Sequence, residues 1–265
     1  ERAVTDITDL YETFSAYADY YTINWGSMTP EILADVLTAL ESYKQRFHRP
    51  VFLKLPADVP VEKLDAVIEF AKEHHIVIIH DNAYSDIIFT REQGRSFLSF
   101  DGAKEVGVEF YSLSKSYNLT GARISFVVGN KAIVEKFKTL RSQIDYGIFL
   151  PIQKAAIAAL TGPDDFIEKQ RQEYAKRNCA LCGGLRRIGW NVPDSQGTMF
   201  VWAKIPKGYA SSFDFCMQLV EKTGLLVTPG SAFGSAGEGY IRMALVVDLP
   251  LIGEILEVLE KSGMF

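Results

Sequence analysis

Helical and extended apolar periodicity alternate through the first 80 residues, and this alternation most restricts what the chain can fold into. Val4, Ile7, Leu10, Tyr11 and Phe14 recur at helical spacing over residues 2–17, and Tyr20-Tyr21-Thr22-Ile23 then reads as a short strand. Thr29 suits an N-cap and Pro30 the first helical position, ahead of a stripe of Ile32, Val36, Leu37 and Leu40. Pro50 precedes a strand at Val51-Phe52-Leu53. Pro60 opens a helix carrying Leu64, Val67, Ile68 and Ala71, and Ile76–Ile79 follows as a buried strand. An αβαβαβ order predicts a mainly parallel sheet with flanking helices.

The pattern continues with strands at 108–111 and 124–128 and helices at 131–141 and 151–160. Gly162-Pro163-Asp164 breaks it, and a long helix then runs to about Ile188. Beyond Gly189 the order is mixed: strand 200–203, helix 213–223, strands 225–228 and 240–245, helix 251–261. This predicts an α/β domain over 1–163 and a smaller α+β domain over 164–265. A net charge of −5 argues against a strong electrostatic nucleic-acid binder, which would be basic, and 48% hydrophobic residues exclude a disordered chain. No apolar run is long enough to span a membrane, and no leader pattern opens the chain. Three cysteines do not suggest a disulfide framework, so a reducing, cytoplasmic setting is expected. Cys179 and Cys182 form a C-x-x-C inside an apparent helix, where such residues are simply neighbours on one face. No second ligand pair accompanies them, so no metal site is expected.

Four places carry possible chemistry. In Tyr111-Ser112-Leu113-Ser114-Lys115-Ser116-Tyr117-Asn118 a lysine follows a buried strand among hydroxyls. Ligand sites of parallel sheets lie at the carboxyl ends of strands, and a lysine held there can serve as an amine nucleophile. A solvated loop lysine is the plainer reading. Asp81 ends another apolar strand, three residues before Tyr84. A carboxylate there needs a cation or several donors, or it caps the following turn. Arg123, in Gly121-Ala122-Arg123, suits bidentate phosphate binding, to which Ser112 and Ser114 could add hydroxyls. Arg242 lies within the apolar run Tyr240–Leu245 and wants a carboxylate, from a substrate or from a structural Asp or Glu.

The order Asp-x-x-Tyr, Ser-x-Ser-Lys, Gly-x-Arg and Tyr-Ile-Arg resembles class I/II pyridoxal-phosphate aminotransferases of fold type I, from about Phe70 to Phe265. The resemblance implies that Lys115 forms a Schiff base with pyridoxal 5'-phosphate and shuttles the proton. Asp81 would pair with the ring nitrogen and Tyr84 with the ring hydroxyl. Ser112, Ser114 and Arg123 would hold the phosphate, and Arg242 the carboxylate of an amino-acid or 2-oxo-acid substrate. It also implies a homodimer. Ser125 departs from the pattern, since a glycine is common there. The family's Gly-Ser or Gly-Thr helix start, its ring-stacking aromatic and its Asn-Pro-x-Gly loop are missing; Leu55–Pro60 stands in place of the last.

The first 70 residues resemble instead two βα units of dihydroorotate dehydrogenase, a flavin-binding barrel. Asn24 and Lys54 match positions of that family, but Trp25-Gly26-Ser27-Met28 departs from its loop. Lys54 is expected to be structural or exposed. Two partial likenesses, a joint near 60–72 and a first residue other than Met predict an engineered chimera: a truncated fold type I large domain (71–163) completed by barrel-like units (1–70). Activity is then expected to be impaired, and a non-catalytic scaffold is the alternative. A flavin oxidoreductase would need the whole barrel.

Overall fold

The computed structural model describes residues 2–24, 30–55, 61–89, 95–163 and 165–265. The expected N-cap Thr29, the helix-opening Pro60, the segment 25–28 and all of the stretch Leu55–Pro60 except Leu55, which instead ends a strand, lie outside these residues. The chain divides into two units, Glu1–Ser85 with Gly94–Gly162, and Asp86–Gln93 with Pro163–Phe265.

In the first unit the alternating pattern becomes α1 (Arg2–Phe14), β1 (Tyr21–Asn24), α2 (Pro30–Phe47), β2 (Val51–Leu55), α3 (Val61–Glu73) and β3 (Val77–Asp81). There follow α4 (Ala103–Val106), β4 (Gly107–Ser112), α5 (Leu113–Ser116), β5 (Ser125–Gly129), α6 (Lys131–Ile144) and α7 (Leu150–Thr161). Leu33, Val36, Leu37 and Leu40 of α2 and Leu64, Val67, Ile68 and Ala71 of α3 are buried at helical spacing. They pack in one core with Val51, Leu53 and Leu55, the alternate residues of β2. The strands pair in the order β1-β2-β3-β4-β5. The first four are parallel, while β5 is antiparallel to β4, with Val108 opposite Gly129 and Ser112 opposite Ser125. The link from Leu113 to Ile124 contains the four-residue α5 and a three-residue 3-10 turn, not a long helix that would carry the chain back along the sheet.

The second unit contains α8 (Asp165–Arg187), β6 (Phe200–Lys204), α9 (Ser212–Thr223), β7 (Thr228–Pro229), β8 (Tyr240–Ala244) and α10 (Leu249–Lys261). Its sheet has the order β6-β8-β7 with antiparallel pairing. Leu181, Leu185, Trp190, Val201, Phe215, Leu219 and Ile241 form its core. The strand expected at 225–228 shrinks to Thr228–Pro229. Gly224, left-handed at φ 74°, ends α9, Leu226 is 81% exposed, and Pro229 has no N–H for a longer ladder.

Asp86–Gln93 groups with this second unit, a detail absent from the expected 163/164 division. Phe89 N–H donates to Gln196 O at 2.8 Å, Ile88 bridges Gly197, and Ile87 is fully buried. Among the described residues no helix is long and apolar enough to cross a membrane.

Candidate active site

Strand pleating sorts the carboxyl ends of β2, β3 and β4 into two faces. His80 is buried on one face, while Ile79 and Asp81 lie on the other, less covered face. Register adds neighbours to each: Glu109 stands opposite His80, Phe110 opposite Asp81, and Lys54 opposite Ile79. Lys54 is therefore on the same face as Asp81, one diagonal step away. Its Nζ lies 2.9 Å from Asp81 Oδ2, and the two side chains are 40% and 45% exposed.

The opposite face is closed. Glu109 Oε1 accepts from Asn82 Nδ2 at 2.8 Å, and its Oε2 accepts from Ser96 Oγ at 2.8 Å. His80 Nδ1 lies 3.1 Å from the same oxygen. Burial pushes the Glu109 carboxyl up, but hydrogen bonds from His80, Asn82 and Ser96 outweigh it and hold the group down at about 2. Glu109 is thus a carboxylate, and the His80 ring N–H is the donor.

Beyond β4 the chain makes the turn that carries Lys115. Ser112 is the N-cap of α5, its Oγ accepting from Ser114 N–H at 3.2 Å. A hydroxyl that accepts one bond still has a proton to donate. Leu113 is fully buried and packs in a cluster with Ile124 and Ala156, which anchors the turn beneath Lys115. Thr120 Oγ1 donates to Ser114 O at 3.0 Å, and Arg123 Nη1 donates to Thr120 O at 3.2 Å. Arg123 is left-handed at φ 51°, an uncommon conformation for a residue with a side chain. Thr120 so ties the arginine to the serine turn, a role the sequence reading missed. Ser114 is buried, Ser112, Lys115 and Tyr84 are half-buried, and Arg123 is exposed. Ser125 is exposed, so a side chain in place of the usual glycine meets no crowding.

Within the second unit, Arg242 lies on β8 between Trp202 and Thr228 of the flanking strands. Its Cζ stands 4.3 Å from the centre of the Phe200 ring and 4.5 Å from that of Phe233. Among the described residues no carboxylate forms an ion pair with it. Two aromatic rings thus lie against the guanidinium, and the planar fork of an arginine suits a planar acceptor such as a carboxylate. The preceding loop brings Gly230 and Gly237 together so closely that a Cβ on either would strike the other's carbonyl oxygen. That contact accounts for glycine at positions 230 and 237.

The donor set fits pyridoxal phosphate at the amine and phosphate ends. A lysine, a capping serine with a proton to give and an arginine lie within one short turn. At the ring nitrogen the fit has a competitor, because Lys54 already pairs with Asp81. Lys54 was expected to be structural or exposed; its partner is legible only once β2 and β3 are in register.

Comparison with known proteins places the chain in a family. The family described as "Aminotransferase class I and II" matches residues 56–259. LL-diaminopimelate aminotransferase from Halothermothrix orenii is 46% identical over 208 residues, 78% of this chain and 53% of that protein. The enzyme of the same name from Moorella thermoacetica is 36% identical over 230 residues, 85% of this chain and 59% of that protein. The chain thus spans little more than half the length of these relatives. A substrate-bound structure of BacF from Bacillus subtilis superposes with a TM-score of 0.78 at 27% identity, covering 97% of this chain and 72% of that one. An aminotransferase from Staphylococcus aureus gives 0.77 at 28% identity, covering 94% and 72%.

These likenesses bear on the expected chimera. A match over 85% of the chain is more than residues 71–265 alone can supply, and the superposition takes in 97%. The superposition thus extends into the first 70 residues, and these comparisons lend no support to an engineered chimera. The scaffold alternative gains no support.

Proposed function

Because the chain belongs to the class I and II aminotransferases, whose cofactor is pyridoxal phosphate, we propose that it takes part in amino-group transfer between an amino acid and a 2-oxo acid. The observation that carries this reading is the Ser112–Arg123 turn, which holds a lysine, serines and an arginine together at the end of β4, next to the strand that ends in Asp81. The chemistry the cofactor supplies is electron withdrawal from the substrate carbon. Lys115 Nζ supplies the amine that holds the cofactor and moves the proton at that carbon. An Asp81 oxygen accepts the ring N–H, and Tyr84 Oη donates to the ring hydroxyl. Ser112, Ser114 and Arg123 hold the phosphate through charge-assisted hydrogen bonds. Arg242 forks the substrate carboxylate through its guanidinium.

The names of the relatives make LL-diaminopimelate the first amino donor to test. A homodimer is part of the same proposal, supported by exposed apolar side chains at Leu140, Ile144, Phe149 and Leu150. Added pyridoxal phosphate should give a visible absorbance band that Lys115→Ala abolishes, with cooperative thermal unfolding showing that the variant is folded. A spectrum identical in the two proteins rules the reading out.

A further inference from the structure

The Asp81 carboxylate has two claimants. One is the cofactor ring nitrogen of the function proposed above, on which this inference rests. The other is the Lys54 ammonium, 2.9 Å from Oδ2. Both side chains of the pair are close to half exposed, so the pair is not required to compensate burial. It therefore adds little to folding. Its consequence falls on the ligand: a protonated ring nitrogen held by Asp81 would lie within a few ångströms of an ammonium, and like charges disfavour one another's charged form. The carboxylate must be shared between two cations, or Lys54 must give it up.

We propose that Lys54 is a positioning residue that competes for Asp81 and weakens the retention of pyridoxal phosphate by this chain. The surrounding register supports the assignment. Lys54 is the penultimate residue of β2, and Val51, Leu53 and Leu55 point to the buried face. Lys54 is thus committed to the Asp81 face by the same pleat that builds the core. Changing it removes a cation from the site without opening the core.

The test is a titration of the full chain with pyridoxal phosphate, read as the Lys115-dependent visible band, for the parent and for Lys54→Met, Lys54→Gln, Asp81→Asn and Lys54→Met/Asp81→Asn. Lys54→Met should lower the midpoint by about fivefold, the scale of a half-exposed ion pair. Lys54→Gln should move it the same way. The Asp81→Asn background should erase the gain, because Lys54 then has no carboxylate to occupy. A band in the Lys54 variants but not in the parent would support the inference most strongly. Equal or higher midpoints in both variants overturn it and leave the proposed function standing. Absence of a band from the parent and both variants overturns the two together. Melting temperatures, measured in parallel, identify a variant that has not folded, and the other substitution then carries the comparison.

Discussion

The two faces of the sheet at the ends of β3 and β4 use carboxylates in opposite ways. Glu109 is 5% exposed, and its oxygens are taken by Asn82, Ser96 and His80. Asp81, one strand position beyond His80, is held only partly, by a lysine that is itself half in solvent. A buried carboxylate must be satisfied by the fold or it is not tolerated. A half-exposed one can afford an exchangeable partner. The difference separates a residue that belongs to folding from one available to a ligand, although they lie on neighbouring strands.

The sharpest way to break this contrast is Glu109→Ala. It leaves the buried donors of His80 and Asn82 without an acceptor and should cost about 3–5 kcal/mol, measured by urea unfolding. Acid should reach the same group. The folded pKa of Glu109 is about 2, below its ordinary 4.5, so its contribution is present above pH 4.5 and is lost as pH falls toward 2. That window should remove about 3 kcal/mol in unfolding experiments across it, and Glu109→Gln should flatten the dependence. Arg242→Met should raise the KM for the amino donor with little change in stability. Loss of a charge-assisted pair worth about 1.5–3 kcal/mol corresponds to roughly tenfold to a hundredfold. The smallest effect belongs to the open face. Asp81→Asn should shift urea-unfolding stability by no more than about 1 kcal/mol, and a larger loss would show that Asp81 is a folding residue like Glu109.

Much of this architecture was legible in the sequence because burial imposes periodicity. Ile32, Val36, Leu37 and Leu40 mark a helix by their spacing, and Val51-Phe52-Leu53 mark a strand, whereas the burial of Leu33 and the continuation of the strand to Leu55, read from the sequence as loop, emerge only in the fold. The Lys115 turn was legible because Ser112, Ser114 and Lys115 follow a strand without a break. Pairing across elements was not. Nothing local to Lys54 tells which carboxylate it faces, since that depends on register. Arg242 left a structural Asp or Glu open as its partner, and Phe200 and Phe233 hold it instead. The antiparallel direction of β5 was equally hidden, because it follows from a short turn and not from the strand's own apolar residues.

The grouping of Asp86–Gln93 with the second unit has a consequence for dissection of the chain. The polypeptide passes between units after Ser85, again before Gly94, and a third time after Gly162. A fragment beginning at Pro163 would keep β6, β8 and α8 but lack Ile87, leaving a hole in its interior and Gln196 O without its donor. No single cut releases either unit whole. During synthesis the piece around Ile87 must wait for residues more than a hundred positions downstream, so completion of the C-terminal unit is an event of long sequence separation, the slow kind in folding.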